Sequence, residues 1–257
     1  MCPDVDAVIY RLAGVFNERT GYGLKDDTFQ VLEAMDRIGE AAWFRIGDMD
    51  LATHLVRAGM LARGHTLTEA TQELCRRFGV EARVLPMTDG TMRTRFMTDM
   101  GELSFQEYFV RERLEPVLRG IEFASARPVH ATREVSGALK QADLVVIGPS
   151  NPLISIDPIL RVTRPLLDRS RTAAVTPIVA GAALKGPTVE MMRALGLDPS
   201  PVEVARRYRD VASVFVLDQR DESMRSAIVA LDYRVAVSDT VMRDGGRSLA
   251  RTVLGDL

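Results

Sequence analysis

The order of elements in the second half of the chain constrains the fold most strongly. From residue 131 onward, short apolar segments alternate with helical ones. Short strands that alternate with helices are typical of a parallel sheet covered by helices. The sequence therefore predicts an α/β fold, with a Rossmann-like, mostly parallel sheet and helices on both faces. The predicted strands are Leu144–Ile147, Ala173–Thr176, Ser213–Leu217 and Arg234–Val237.

The first half of the sequence predicts helices, followed by a small antiparallel insertion. Thr66 and Glu69 have capping-box spacing, and Asp26 or Asp27 is the expected N-cap of the second helix. We interpret residues 1–257 as a single domain with an inserted hairpin region at about 83–125. The predicted helices are Asp6–Val15, Asp27–Ile38, Asp50–Met60 and Thr66–Gly79, and the predicted strands are Ala82–Pro86, Met92–Met97, Glu102–Tyr108 and Gly120–Ala124.

Composition excludes several classes of protein. With 33 basic and 35 acidic residues, the net charge of −2 argues against a protein that binds nucleic acid non-specifically. No apolar run approaches the ~20 residues of a membrane span. Cys2 and Cys75 form neither a disulfide framework nor a metal-binding pattern. We therefore expect a cytoplasmic protein without nucleic-acid or membrane partners.

Polar loops follow the predicted parallel strands, where ligands of such sheets bind. The first loop, Gly148-Pro149-Ser150-Asn151 with Ser155, offers close backbone approach, hydroxyl and amide groups, and the N–H groups of a helix start. It predicts a phosphate or sugar cradle, the alternative being a turn built from ordinary turn-formers. Lys185, in a later loop, faces either a phosphate or solvent. Asp239 is interpreted as a helix cap.

Carboxylates at element ends in the first half suit Mg²⁺, which prefers oxygen ligands. Asp6, Asp48 and Asp50 stand at predicted helix starts, and Asp89 follows a predicted strand. Each could instead cap a helix. Thr53 and His54 are candidates to line the same site. No G-x-S-x-G, Walker A or G-x-G-x-x-G motif is present, so a serine hydrolase, a P-loop NTPase and an ordinary dehydrogenase lack support.

The chain resembles the 2-phospho-L-lactate transferase family, which acts in biosynthesis of the deazaflavin coenzyme F-420. The resemblance begins with Gly148–Pro152 and the following Ser155-Ile156-x-Pro158-Ile159. Further segments match in order and spacing: Pro3–Asp6, Asn17–Phe29, Trp43–His54, Leu85–Asp89, Gly101–Arg113, Val175–Pro187 and Ser238–Arg243.

The resemblance implies a Mg²⁺-dependent transfer from a guanosine diphosphate ester of lactate, or of enolpyruvate, to the deazaflavin alcohol Fo. GMP would leave, and positioning and charge neutralisation would carry the catalysis. Asp6 would contact Fo and act as base or metal ligand. Arg45, Thr53 and His54 would contact Fo as well. The implied nucleotide and phosphate contacts are Gly148, Pro149, Ser150, Asn151, Ser155 and Lys185, and the implied metal ligands are Asp6, Asp48 and Asp50.

The N-terminus departs from the family pattern. Family members begin with a strand and a Gly-Gly-Thr-Gly turn, whereas Pro3 stands almost first here. We therefore expect either a start codon further upstream or an inactive truncated relative. A nucleotide-sugar-binding regulatory protein of the same superfamily is the alternative function, and Trp43–His54 favours the transferase. We also expect a homodimer.

Overall fold

The computed structural model describes residues 2–40, 43–183 and 186–255. They form two compact units. One contains residues 1–92, 105–115 and 125–135, and the other contains 93–104, 116–124 and 136–257. The single domain predicted for the whole chain stays a prediction.

The first unit is built from helices. Its core joins Ile9 and Tyr10 of the first helix to Leu74 and Cys75 of the fourth. The Thr66–Glu69 capping box is present at the start of the fourth helix, as predicted. The helices are α1 (Pro3–Leu12), α2 (Gln30–Arg37), α3 (Asp48–Ala62) and α4 (Leu67–Arg77).

An antiparallel sheet in the second unit confirms the predicted hairpin. Its strands are β1 (Arg93–Thr98), β2 (Gly101–Ser104) and β3 (Leu118–Ala124), in the order β2-β1-β3. The second strand was predicted to reach Tyr108, which is wrong, because Glu107–Arg111 turns into a π-helix. The strand predicted at Ala82–Pro86 is also wrong: this segment is irregular and pairs with no strand of the described chain.

The four predicted parallel strands are confirmed within two residues at each end. The strands of this region are β4 (Val145–Ile147), β5 (Thr172–Val175), β6 (Ile178–Val179), β7 (Ala182–Ala183), β8 (Val214–Asp218) and β9 (Arg234–Ser238). The four predicted strands form one sheet in the order β4-β5-β8-β9, and β6 and β7 form a separate short hairpin. The remaining helices are α5 (Arg133–Gln141), α6 (Asp157–Thr163), α7 (Thr188–Ala194), α8 (Pro201–Tyr208), α9 (Arg225–Val229) and α10 (Arg247–Gly255).

Helices cover both faces of the parallel sheet, as predicted. Side chains alternate between faces along a strand. Val214 and Val216 of β8 pack in one cluster with Leu249 of α10. On the other face Phe215 meets the ring of Tyr233 edge-on, and the Tyr233 hydroxyl donates to the Ala205 carbonyl in α8.

The sequence of the second half also predicts helices near 158–168 and at 221–231, and both are shorter in the structure. In the first of them, α6 ends at Thr163 because Pro165 lacks the N–H that would continue it. In the second, the chain is 3-10 helical up to Met224, with a non-helical backbone at Asp221, and α9 covers only Arg225–Val229. No helix in the described ranges is long and apolar enough to cross a bilayer.

Candidate active site

A polar stripe runs along the inward face of α3. Asp50, Thr53, His54 and Arg57 recur at the i, i+3, i+4, i+7 spacing that places residues on one side of a helix. Apolar residues normally occupy such a stripe. Thr53 and Arg57 are nevertheless buried, at 5% and 3% exposure. Burying polar groups costs free energy unless they are paired, so this face needs partners from elsewhere in the unit.

Asp6 of α1 is the main partner of this stripe. The residue is 2% exposed, and the Arg57 guanidinium donates to both oxygens of its carboxylate. Arg57 Nη1 donates to Oδ2 over 3.0 Å, and Nη2 donates to Oδ1. A two-pronged guanidinium–carboxylate pair fixes geometry as well as charge. The pair therefore ties α1 to α3 and fixes the plane of the Asp6 carboxylate.

His54 lies between two carboxylates. Its Nε2 is 3.2 Å from Asp6 Oδ2 and 3.6 Å from Asp50 Oδ1. The Tyr10 hydroxyl donates to Asp50 Oδ1 over 2.8 Å. Burial raises the pKa of Asp50 above its usual range, although the Tyr10 hydrogen bond and His54 oppose this. Burial also raises the pKa of the Tyr10 hydroxyl. The network thus joins two carboxylates, an imidazole and a phenol hydroxyl to one guanidinium.

This arrangement fits a divalent cation in part. Asp6, Asp50 and His54 each offer a ligand atom, and the three atoms lie within 4.8 Å of one another. The two carboxylates are the oxygen donors that Mg²⁺ prefers, whereas imidazole is a ligand of softer metals. Asp48, the third predicted metal ligand, is not part of the group. Its carboxylate accepts hydrogen bonds from Thr28 Oγ1 and from the Gln30 and Val31 amides.

Asp48 and Asp27 cap each other's helices. Asp48 closes the first turn of α2, and Asp27 accepts from the Met49 and Asp50 amides at the start of α3. The prediction that Asp26 or Asp27 caps the second helix is therefore wrong. Gly47 makes this mutual capping possible, because a Cβ at that position would overlap the Asp27 carboxylate.

Two other candidates of the first unit lie away from the Asp6 network. The Arg45 guanidinium stacks over the ring of Phe29, 4.5 Å from its centre. Asp89 accepts from the Thr68 amide over 2.7 Å and so caps the first turn of α4. Thr53, in contrast, lies in the stripe next to His54, and its hydroxyl donates to the Met49 carbonyl. The structure thus brings together Asp6, Asp50, Thr53 and His54.

The predicted phosphate loop follows β4, at the carboxyl end of the parallel sheet. It contains Gly148, Pro149, Ser150 and Asn151, and the π-helical turn Pro152–Ile156 carries Ser155. Asn151 Oδ1 accepts from the Leu153 amide, and its carbonyl accepts from the Ser155 and Ile156 amides. These N–H groups, expected to be free for an anion, are already bonded within the turn. Ser150 is exposed at the end of the loop.

The neighbouring strand ends carry a buried carboxylate that the sequence analysis missed. Asp218, at the end of β8, is fully buried and accepts from the Thr240 amide and hydroxyl and from Arg220. It joins the ends of β8 and β9. Asp239 accepts from the Val241 amide and from Arg243, and so caps this turn. Lys185 lies outside the described residues.

Together, these features define an α/β protein with a partly buried acidic cluster on one unit and polar loops at the strand ends of the other. A family profile described as 2-phospho-L-lactate transferase CofD matches residues 1–252. The chain belongs to this family of transferases.

Curated relatives named 2-phospho-L-lactate transferase match nearly the whole chain. The protein of Methanosarcina barkeri is 36% identical, over 99% of this chain and 84% of its own length. That of Methanopyrus kandleri is 37% identical, over 98% and 83%. That of Methanothermobacter thermautotrophicus is 35% identical, over 100% and 84%.

The solved structures support the fold alone. The crystal structure of protein BH3568 from Bacillus halodurans matches 92% of this chain and 78% of its own, with a TM-score of 0.52 and 13% sequence identity. This likeness agrees with the α/β architecture and carries no argument about substrates.

Arg57 and Tyr10 are the members of the cluster that sequence reasoning missed. A signal for both was present. Arg57 continues the Asp50–His54 spacing along the predicted helix, and Tyr10 lies one turn after Asp6. A stripe of polar residues where an amphipathic helix should be apolar could have identified them.

Proposed function

We propose that this chain transfers a 2-phospho-L-lactate group, or its enolpyruvate counterpart, from a guanosine diphosphate ester to the terminal hydroxyl of Fo. The acid-bearing phosphate would form a phosphodiester with Fo, and GMP would leave. Family membership supports this activity. The single observation that carries it is the convergence of the buried Asp6 with the half-buried Asp50 and His54. Such charge concentrated at a site with little solvent is suited to binding and orienting reactants in phosphoryl transfer.

Within this proposal, Asp6 and Asp50 are the residues that would hold Mg²⁺. The ion would neutralise charge on the transferred phosphoryl group. His54 and Thr53 would contact the acceptor, and Asp6 would orient its attacking hydroxyl. Arg45, stacked on Phe29, would contact Fo from the segment before α3. Asp48 is removed from the proposed metal set, because its carboxylate caps α2.

The nucleotide end of the donor would bind at the carboxyl edge of the parallel sheet. Gly148, Pro149, Ser150, Asn151 and Ser155 are the proposed contacts, with Lys185. The position of this loop at the end of β4 supports the assignment, because ligands of such sheets bind beyond the strand ends.

The test is a transfer assay with Mg²⁺ and each of the two guanosine diphosphate esters in turn. The expected result is GMP release together with an Fo product heavier by the acid and phosphate. Thr53→Val and Asp6→Asn should lower the rate, whereas Glu18→Gln, at an exposed ion pair, should leave it unchanged. Absence of GMP release with both donors would contradict the proposal. Fluorescence titration with Fo separates the regulatory alternative, because a nucleotide-sugar binder would not bind Fo.

We further propose a cytoplasmic homodimer. Cys2 and Cys75 are unpaired, in keeping with a reducing compartment. Sedimentation velocity should give about twice the chain mass of 28.4 kDa if the dimer forms.

A further inference from the structure

Arg57 has a position that differs from that of other arginines in the chain. It lies on the third turn of α3, on the same face as Asp50 and His54, and is 3% exposed. Arginine is almost never buried without a partner. A buried arginine inside the candidate site therefore needs a structural or functional explanation.

The hydrogen bonds of the Arg57 guanidinium go to one carboxylate, that of Asp6. Both terminal nitrogens donate to Asp6, and Nε has no partner among the described residues. A guanidinium that only filled space in a polar core would donate to several different acceptors. Arg57 instead leaves its buried Nε without a partner and donates only to the Asp6 carboxylate among the described residues.

That contact sets where the Asp6 carboxylate points. Because both oxygens are held, the carboxylate cannot rotate about its terminal bond, and Oδ2 stays 3.2 Å from His54 Nε2. The Arg57 charge also offsets the repulsion between Asp6 and Asp50, which would otherwise separate two carboxylates in a poorly hydrated site.

We propose that Arg57 is a positioning residue: it fixes the Asp6 carboxylate in the orientation that cation and acceptor binding require. This inference rests on the proposed function. It assigns Arg57 no contact with substrate. Its effect depends on the forked guanidinium, which lysine cannot reproduce because its ammonium is a point charge.

The first experiment compares Arg57→Lys with Arg63→Lys, the same substitution at an exposed position that follows α3. Mn²⁺ alone, as a probe, is titrated into each protein and followed by electron paramagnetic resonance. Arg57→Lys should weaken Mn²⁺ binding about 10- to 100-fold, as losses of residues that orient metal ligands do. Arg63→Lys should bind as the unsubstituted chain. Equal Mn²⁺ affinity in both variants would overturn the proposal.

The second experiment uses catalysis and chemical rescue. Arg57→Lys should lower kcat about 10- to 100-fold while KM for the donor ester stays the same. In Arg57→Ala, guanidinium ion at a non-denaturing concentration should restore part of the activity, and it should not activate Arg63→Ala. If both Arg57 variants unfold by circular dichroism, or if guanidinium restores folding without activity, Arg57 is only a core residue and the proposal is wrong.

The two experiments separate this inference from the proposed function. If the unsubstituted chain transfers nothing from either donor, the proposed function fails. The Mn²⁺ titration still decides the role of Arg57, because it needs neither donor nor acceptor.

Discussion

At the residue scale, the two carboxylates of the acidic cluster face different surroundings. Asp6 has a full counter-charge in Arg57, whereas Asp50 is stabilised by the Tyr10 hydroxyl and His54 and repelled by neighbouring carboxylates. Desolvation without a matching cation is what raises the pKa of Asp50. The charge of Asp6 is therefore balanced in the folded protein, whereas an ionised Asp50 lowers the free energy of unfolding.

We expect Asp50→Asn to stabilise the metal-free protein. Because the pKa of Asp50 is raised in the folded state, its ionised form lowers the free energy of unfolding at neutral pH, and asparagine removes this charge while still accepting from Tyr10. The urea midpoint in EDTA at pH 7 should rise. The difference should vanish below about pH 3.9, the unfolded pKa, where aspartate is protonated in both states. The same substitution should reduce transfer. An unchanged or lower midpoint at pH 7 would contradict this account.

Asp6→Ala should have the opposite effect on stability. It leaves the Arg57 charge buried without its partner, which typically lowers the free energy of unfolding by about 3 to 5 kcal/mol. Glu18→Ala is the control, since it breaks an exposed pair with Arg11 and should cost less than about 1 kcal/mol. Equilibrium urea unfolding of both variants measures the difference. Similar losses in the two variants would show that the Asp6–Arg57 pair is no more important than a surface pair.

At the scale of elements, the helix starts show what local sequence patterns can and cannot predict. The Thr66–Glu69 capping box was predictable because both partners lie within one turn. The α2 cap was not, because Asp48 lies 17 to 18 residues beyond the amides that it accepts from. Local periodicity contains no information on contacts of that length.

Gly47 should be intolerant of a side chain. In Gly47→Ala the new Cβ would displace Asp27 from the Met49 and Asp50 amides, with a loss of about 1 to 2 kcal/mol, typical of a helix cap. Gly137→Ala, inside α5 where a Cβ meets nothing within 4 Å, should instead stabilise by about 0.5 to 1 kcal/mol. Thermal unfolding of the two variants should thus shift in opposite directions. A stable Gly47→Ala protein would refute the close approach of Asp27.

At the scale of the whole molecule, the parallel sheet was the most predictable feature. Short strands separated by helices allow few other arrangements, and all four strands formed within two residues of the prediction. The candidate site was predictable only in part. Asp6 and His54 were expected together, but that Arg57 joins them depends on how α1 packs against α3, which the sequence pattern does not specify.

Stability should fall in acid, in part because of Asp218. Its burial works to raise the pKa, but the hydrogen bonds from Arg220 and Thr240 outweigh this, so the pKa lies below the usual range. A lowered folded pKa contributes stability above the unfolded pKa, about 3.9, that is lost as pH falls through the folded value. Asp218→Asn should therefore lower the urea midpoint at pH 7 and lessen its fall between pH 5 and pH 3. An equally steep fall in the variant would exclude Asp218 as a contributor.

The exchanged caps of α2 and α3 have a kinetic consequence. Each helix start is closed by a carboxylate from the segment that leads into the other, so neither can fray while the second stays intact. The amide protons of Gln30, Val31 and Met49 should consequently exchange with deuterium at one common rate. Asp50, whose own amide bonds to Asp27, would follow the same opening event. Opening of the start of α2 would then release Asp50 of the acidic cluster as well.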